Sequence, residues 1–163
     1  MNLKQFNMQL QFRREFLIIL LWTFLVSLVI IISYHSIYLT NVRWQTYKVA
    51  WDPIEGPMLN LWGVVALTIL SFFAGYSLKN TKFFVFGFLL TLILSFIISV
   101  IFGFIYIWFG LGFYEDLGQI PFGWEWAFYM SLLNCFRIYV PHVLVLLILG
   151  SGFGHLIGGY YSP

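Results

Sequence analysis

With 61% hydrophobic and only 9% charged residues among 163, and a mean hydropathy of +0.91, the chain cannot clothe a water-soluble surface, which draws on roughly 25% charged side chains. The polar stretches between its apolar runs are under about 20 residues each, too short for a soluble domain, so 1–163 is expected to be a single membrane domain. A net charge of +2 with no basic run gives nucleic acid no footprint, and a lone cysteine, Cys135, leaves neither a disulfide framework nor a thiolate metal cluster.

Residues 1–15 precede the first apolar run. Leu3, Phe6 and Leu10 fit a helical stripe, Phe6, Met8, Leu10 and Phe12 fit a strand-like alternation, and the segment reads as a cytoplasmic or interfacial lead-in. Phe16 to Leu39 then runs without a charge for roughly 36 Å of helix, against a hydrocarbon core of about 30 Å. It is too long for a signal sequence and lacks a small-residue cleavage site, so an uncleaved spanning helix over 16–39 is expected. In the following loop, 40–58, Trp44, Tyr47 and Trp51 fall at helical spacing and predict a short interfacial helix near 43–51, ended by Asp52-Pro53.

The second span is expected over 59–78. It meets the third across the four-residue turn 79–82, Lys-Asn-Thr-Lys, as a tight helical hairpin. The third apolar run reaches Phe113 and would need roughly 46 Å of helix, so its spanning part is set at 83–109, with protrusion or a break near Gly110 or Gly112. After a second loop, 114–125, the fourth span is expected over 126–149. Arg137 and Pro141 make it the irregular one, and a division into two shorter segments around Arg137 is the alternative.

Orientation follows from the charges. Lys4, Arg13, Arg14, Lys79 and Lys82 fall on one side with Glu15, whereas Arg43 and Lys48 share the other with Asp52, Glu55, Glu115, Asp116 and Glu125. The basic excess places both termini and the 79–82 turn inside, an N-in/C-in arrangement in a bacterial or archaeal plasma membrane or an organellar inner membrane. Trp44, Tyr47, Trp51, Trp124 and Trp126 then form an aromatic belt at the outer interface.

Two patterns bear on function. Gly87, Thr91, Ser95, Ser99 and Gly103 recur at every fourth position of the third span, with Ser71 and Gly75 repeating the motif in the second and Gly150, Gly154 and Gly158 after the fourth. Small residues at that spacing let helix backbones approach in lipid, and they predict helix contacts, more readily within the chain than with a neighbour. The second pattern is an intramembrane polar stripe of Asn134, Arg137 and Pro141, with His142 beside it. Counted from Trp126, Arg137 lies roughly 17 Å along the helix and near mid-depth, where a charge costs at least about 2.5 to 3.5 kcal/mol. It is expected to meet an acid of a neighbouring subunit or an anionic lipid, or to snorkel towards Glu125, Asp116 or Glu115. No carboxylate lies within the four runs, which leaves Arg137 without an internal counter-ion.

Catalytic and metal sets are not recognisable. His35, His142 and His155 lack helical metal or haem spacing, and there is no GxSxG, HExxH or P-loop, so no cofactor is expected. The favoured function is a small non-catalytic subunit or assembly partner of a larger membrane complex, with other membrane subunits, further copies of itself and the lipid bilayer as partners. A transport or channel component with a polar path at Arg137 and Asn134 is the first alternative. A small membrane enzyme or lipid-handling protein using the acidic outer loop of Glu115, Asp116 and Glu125 is the second.

Overall fold

A peptide group in hydrocarbon must find its hydrogen-bond partner within its own segment, and apolar runs of this length therefore fold as helices. The computed structural model describes residues 3–34, 59–110, 115, 118 and 121–160. Its elements are α1 (Leu3–Tyr34), α2 (Leu61–Ser77), α3 (Thr81–Ile105) with a π turn at Tyr106–Gly110, α4 (Gly123–Ile138), a second π turn at Tyr139–Val143, and α5 (Leu144–Tyr160). The interfacial helix expected near 43–51, and with it Trp44, Tyr47 and Trp51, lies outside the described residues.

Asparagines set the two helix starts of the hairpin. The Asn60 side chain accepts a hydrogen bond from Gly63 N–H (2.6 Å) to open α2, and Asn80 accepts one from Lys82 N–H (2.9 Å) to open α3. Leu78 N–H bonds back to the Ala74 carbonyl (3.1 Å), which closes α2 one residue before Lys79. The tight turn expected at 79–82 is thus set by capping as well as by polarity.

Elsewhere the helices outrun their expected bounds. From Leu3 the lead-in is helical and continuous with the first span, because nothing in it breaks a helix once the apolar run has nucleated one. The fourth element covers Gly123–Tyr160 rather than 126–149. At its start, Glu125 N–H bonds to the Phe122 carbonyl (3.0 Å) and Glu125 occupies the first turn, where a carboxylate complements the helix dipole. The second loop therefore ends at Phe122. At its far end glycine locally disfavours helix, and Gly150, Gly154 and Gly158 pack against α2. The element is nevertheless interrupted. At Val140 the backbone leaves helical geometry (φ −119°, ψ 113°), before Pro141, which has no N–H to offer the preceding turn.

Contacts fix how the helices run. Ile19 lies against Gly87 and Thr23 against Thr91, equal steps of four, so α1 and α3 run in the same direction. Gly150 meets Thr68 and Ser71, Gly154 meets Phe72, and Gly158 meets Tyr76, so α2 and α5 also run alike. Ser33 bonds Asn60 at the turn-over between the two pairs (3.2 Å). The Phe12 ring packs edge-on to Phe83, and His155 touches Thr81. The start of the first helix and the end of the last thus share the end of the bundle that bears Lys79 and Lys82.

The interior is a cluster of Ile19, Trp22, Val26, Ile30, Leu67, Leu78, Ile138, Tyr139, Val143 and Leu147, with a smaller one of Ile107, Ala127 and Met130 towards Gly123. Outside, large apolar side chains such as Leu21, Phe73, Ile93 and Phe153 are exposed along the helices. Water would penalise such a surface and hydrocarbon does not. Three helices, Phe12–Ser33, Thr81–Gly110 and Gly123–Tyr160, are long and apolar enough to cross a membrane, and the 17-residue α2 is a shorter apolar one. The chain is an all-α membrane protein built on four apolar helices.

Candidate functional site

The small-residue positions fall inside the bundle. Gly87, Thr91, Ser95, Ser99 and Gly103 on α3, and Ser71 and Gly75 on α2, are all buried. Thr23 donates to the Ile19 carbonyl (2.9 Å), which uses its only proton, so in the 3.0 Å contact between the two hydroxyls Thr91 is the donor. By the same logic Ser99 donates to the Ser95 carbonyl (2.8 Å) and receives the Tyr139 hydroxyl at 3.1 Å. Ser131 on α4 donates across to the Val100 carbonyl of α3 (2.7 Å). A methyl placed on Gly103 would fall on the Ser131 hydroxyl, so this interhelical bond needs the glycine opposite it.

The polar stripe of the fourth span does not hold together as one face. Asn134 is 2% exposed and turned into the bundle, whereas Arg137, three residues later, is exposed on the outside. The buried arc of α4 passes through Ser131, Asn134, Cys135 and Ile138, and a step of three carries Arg137 past its edge. Pro141 and His142 lie in the π turn, both exposed. Arg137 forms no ion pair or hydrogen bond with any described residue, Glu115 and Glu125 among them. Among the described residues Glu15 on α1 is the one acid taken inside, and it lies towards the Lys79 end.

Contacts with neighbouring helices give the level of Arg137 along the bundle. Trp126 is the fourth residue of α4, so the helix begins three residues before the expected start. His155 supplies a marker: its Nδ1–H donates to the Leu78 carbonyl (2.8 Å), its Nε2 lies 3.3 Å from the Thr81 hydroxyl, and its ring stacks on Phe84 at 4.4 Å. That histidine is level with the Lys79 turn, and Arg137 stands eighteen residues further, up to roughly 27 Å of helix. Arg137 stands between Ser131, which meets Val100 and Gly103, and Tyr139, which meets Phe96 and Ser99, and so lies near the middle of the bundle. At the Gly123 end Trp124 is exposed and Trp126 is half-buried against Ile107, Ala127 and Met130.

Beside Arg137 the kink opens a groove that the sequence did not announce. Leu92, Ile93 and Phe96 of α3 form one wall, and Phe136, Tyr139, Val140 and Leu144 form the other, enclosing about 260 Å³ with no polar surface. The Tyr139 ring stands edge-on to Phe96, 5.1 Å between centroids, while its hydroxyl is engaged by Ser99. The signal that could have located this floor was the run of Ser131, Cys135, Ile138 and Tyr139 at helical spacing, which marks the inward arc and so leaves Phe136 and Val140 at its rim. A smaller groove of about 170 Å³ lies between α1 and α2, lined by Trp22, Leu25, Leu70 and Phe73 among others. Among the described residues no group of three or more His, Cys, Asp or Glu side chains could hold a metal ion.

No protein-family model matches the sequence, and no similar protein was found among curated proteins or solved structures.

Proposed function

We propose that the chain is a small non-catalytic subunit or assembly partner of a larger membrane complex, threading the bilayer four times with both termini on the cytoplasmic or equivalent inner side. Arg13, Arg14, Lys79 and Lys82 gather at one end of the bundle and Glu125 at the other, the basic excess expected of an inner face. A bacterial or archaeal plasma membrane, or an organellar inner membrane, fits that polarity.

The observation that carries the proposal is the outward Arg137. The interior is closed by interhelical hydrogen bonds and apolar packing, and the one cation within the apolar crossings leaves the bundle sideways with no described partner. No described residue answers a charge so placed, which supports a counterpart on a neighbouring polypeptide. The alternative of a polar transport path is less well supported, since Asn134 and Arg137 point to different sides and cannot line a common passage.

Extraction of the native protein in a mild detergent, followed by sizing, tests this. The expected result is a stable assembly with other membrane polypeptides. A monodisperse chain without partners, from membranes in which it is natively expressed, overturns the proposal.

A further inference from the structure

We infer that the groove between α1 and α2, with Arg14 at its mouth, holds one anionic phospholipid of the leaflet at the Lys79 end, its phosphate on the guanidinium and an acyl chain in the groove. This rests on the membrane orientation proposed above, which makes that leaflet the inner one.

Level is the first support. The Phe12 ring packs edge-on to Phe83 and Ile19 lies against Gly87, so residues 12–15 of α1 stand level with the first turn of α3, directly after the Lys79 turn. Arg14 is exposed there. A helical side chain leans towards its own N-terminus, which for Arg14 is away from the middle of the bundle and towards the headgroups. The groove begins one turn further in. Arg14, Ile18, Leu21 and Leu25 follow at steps of four, three and four, a single stripe of α1, and the last three form one wall. Leu70, Phe73 and Ser77 of α2 form the other, with Trp22 and Ala74 buried between them. Ser77 closes α2 two residues before Lys79, so the mouth of the groove lies at the basic end. From Ile18 to Leu25 the groove follows about 10 Å of helix into the hydrocarbon. A cation at the mouth and an apolar trough beneath it reproduce the polarity of a lipid in that leaflet.

Charge selects the occupant. Arg13, Arg14, Lys79 and Lys82 are exposed at this level, and among the described residues the one acid there, Glu15, is turned inside. Such an end attracts an anionic headgroup, whose phosphate oxygens accept two parallel N–H bonds from a guanidinium. A second copy in the same orientation brings the same cations and the same inward Glu15 to this level, and so offers Arg14 no counter-charge. A helix about 10 Å across fills on the order of 800 Å³ over the length of the groove, against about 170 Å³ present. A hydrocarbon chain is slender, needs no hydrogen bonds and gains with every methylene buried.

The test is native mass spectrometry of the purified protein after stepwise delipidation, with phosphatidylglycerol, phosphatidylcholine and diacylglycerol added in parallel as probes. The wild type is expected to keep one phosphatidylglycerol per chain in preference to phosphatidylcholine, and no diacylglycerol. Arg14→Gln is expected to lower phosphatidylglycerol retention roughly five-fold, the factor that one basic residue supplies at an anionic surface, and Arg14→Lys by less. Arg13 lies about 100° round the helix from Arg14 and off the stripe, so Arg13→Gln is expected to leave retention unchanged. Leu21→Ala combined with Phe73→Ala lowers the two exposed rims of the groove without entering the interior, and is expected to weaken retention while Arg14 remains. Wild-type retention in Arg14→Gln, a loss in Arg13→Gln as large as in Arg14→Gln, an unaffected rim variant, or phosphatidylcholine or diacylglycerol held as tightly as phosphatidylglycerol would each overturn the inference. The measurement is made in detergent and reads no orientation, so lipid retention can fail while the proposed orientation stands, and can persist in a chain whose orientation is reversed.

Discussion

Hydroxyl groups do at single positions what hydrophobicity cannot do in a bilayer, namely favour one helix neighbour over the surrounding lipid. Thr23 with Thr91, Tyr139 with Ser99 and Ser131 with the Val100 carbonyl are among the cross-helix bonds of this kind. The serines and threonines of α3 were legible as a stripe, because their spacing is a property of one helix. Their partners were not, since no local pattern tells Thr23 apart from Ser27 as the residue facing Thr91. Interhelical hydrogen bonds in membranes average about 0.6 kcal/mol, so Ser131→Ala is expected to lower stability by about that amount in reversible unfolding from mixed micelles. A double-mutant cycle on Thr23→Val and Thr91→Val should return a coupling energy of similar size, and a coupling of zero would deny the bond.

Between elements, close backbone approach is concentrated in one helix pair, α2 with α5, which have the most extensive contact in the bundle. A methyl group on Gly75 would overlap the Ser151 backbone carbonyl, and one on Gly154 would overlap that of Phe72, so neither site can accept a side chain without parting the helices. Gly154→Leu is therefore expected to lower stability by about 1 to 3 kcal/mol, the usual range for overpacking, with a matching fall in the melting temperature. Gly152 has nothing within 4 Å, and Gly152→Ala should change stability by no more than about 0.5 kcal/mol. Glycine weakens helices locally, so the run after Leu149 is compatible in sequence with either an end or an extension of the helix. The spacing of Gly150, Gly154 and Gly158 marks a contact stripe, and α2 alongside supplies its partner and carries the fourth helix to Tyr160.

For the whole molecule, the sideways exposure of large apolar residues and the gathering of cations at one end make orientation a measurable property. In a Cys135→Ala background, Asn80→Cys should react with a membrane-impermeant thiol reagent only from the inner side of sealed vesicles, and Trp124→Cys only from the outer side. Labelling of both from the same side would refute four alternating crossings.

The sequence by itself determined the all-α class, the number of apolar helices, the turn at 79–82 and the positions of the small-residue stripes, because each depends on local hydrophobicity, capping or helical period. Tertiary structure decided the rest. It alone settled which helices pair, that Asn134 turns inward while Arg137 turns out, and that the Val140 kink opens a groove against α3. Each of these depends on where a helix sits against its neighbours, and a one-dimensional pattern carries no information about rotation, tilt or register between segments far apart in the chain.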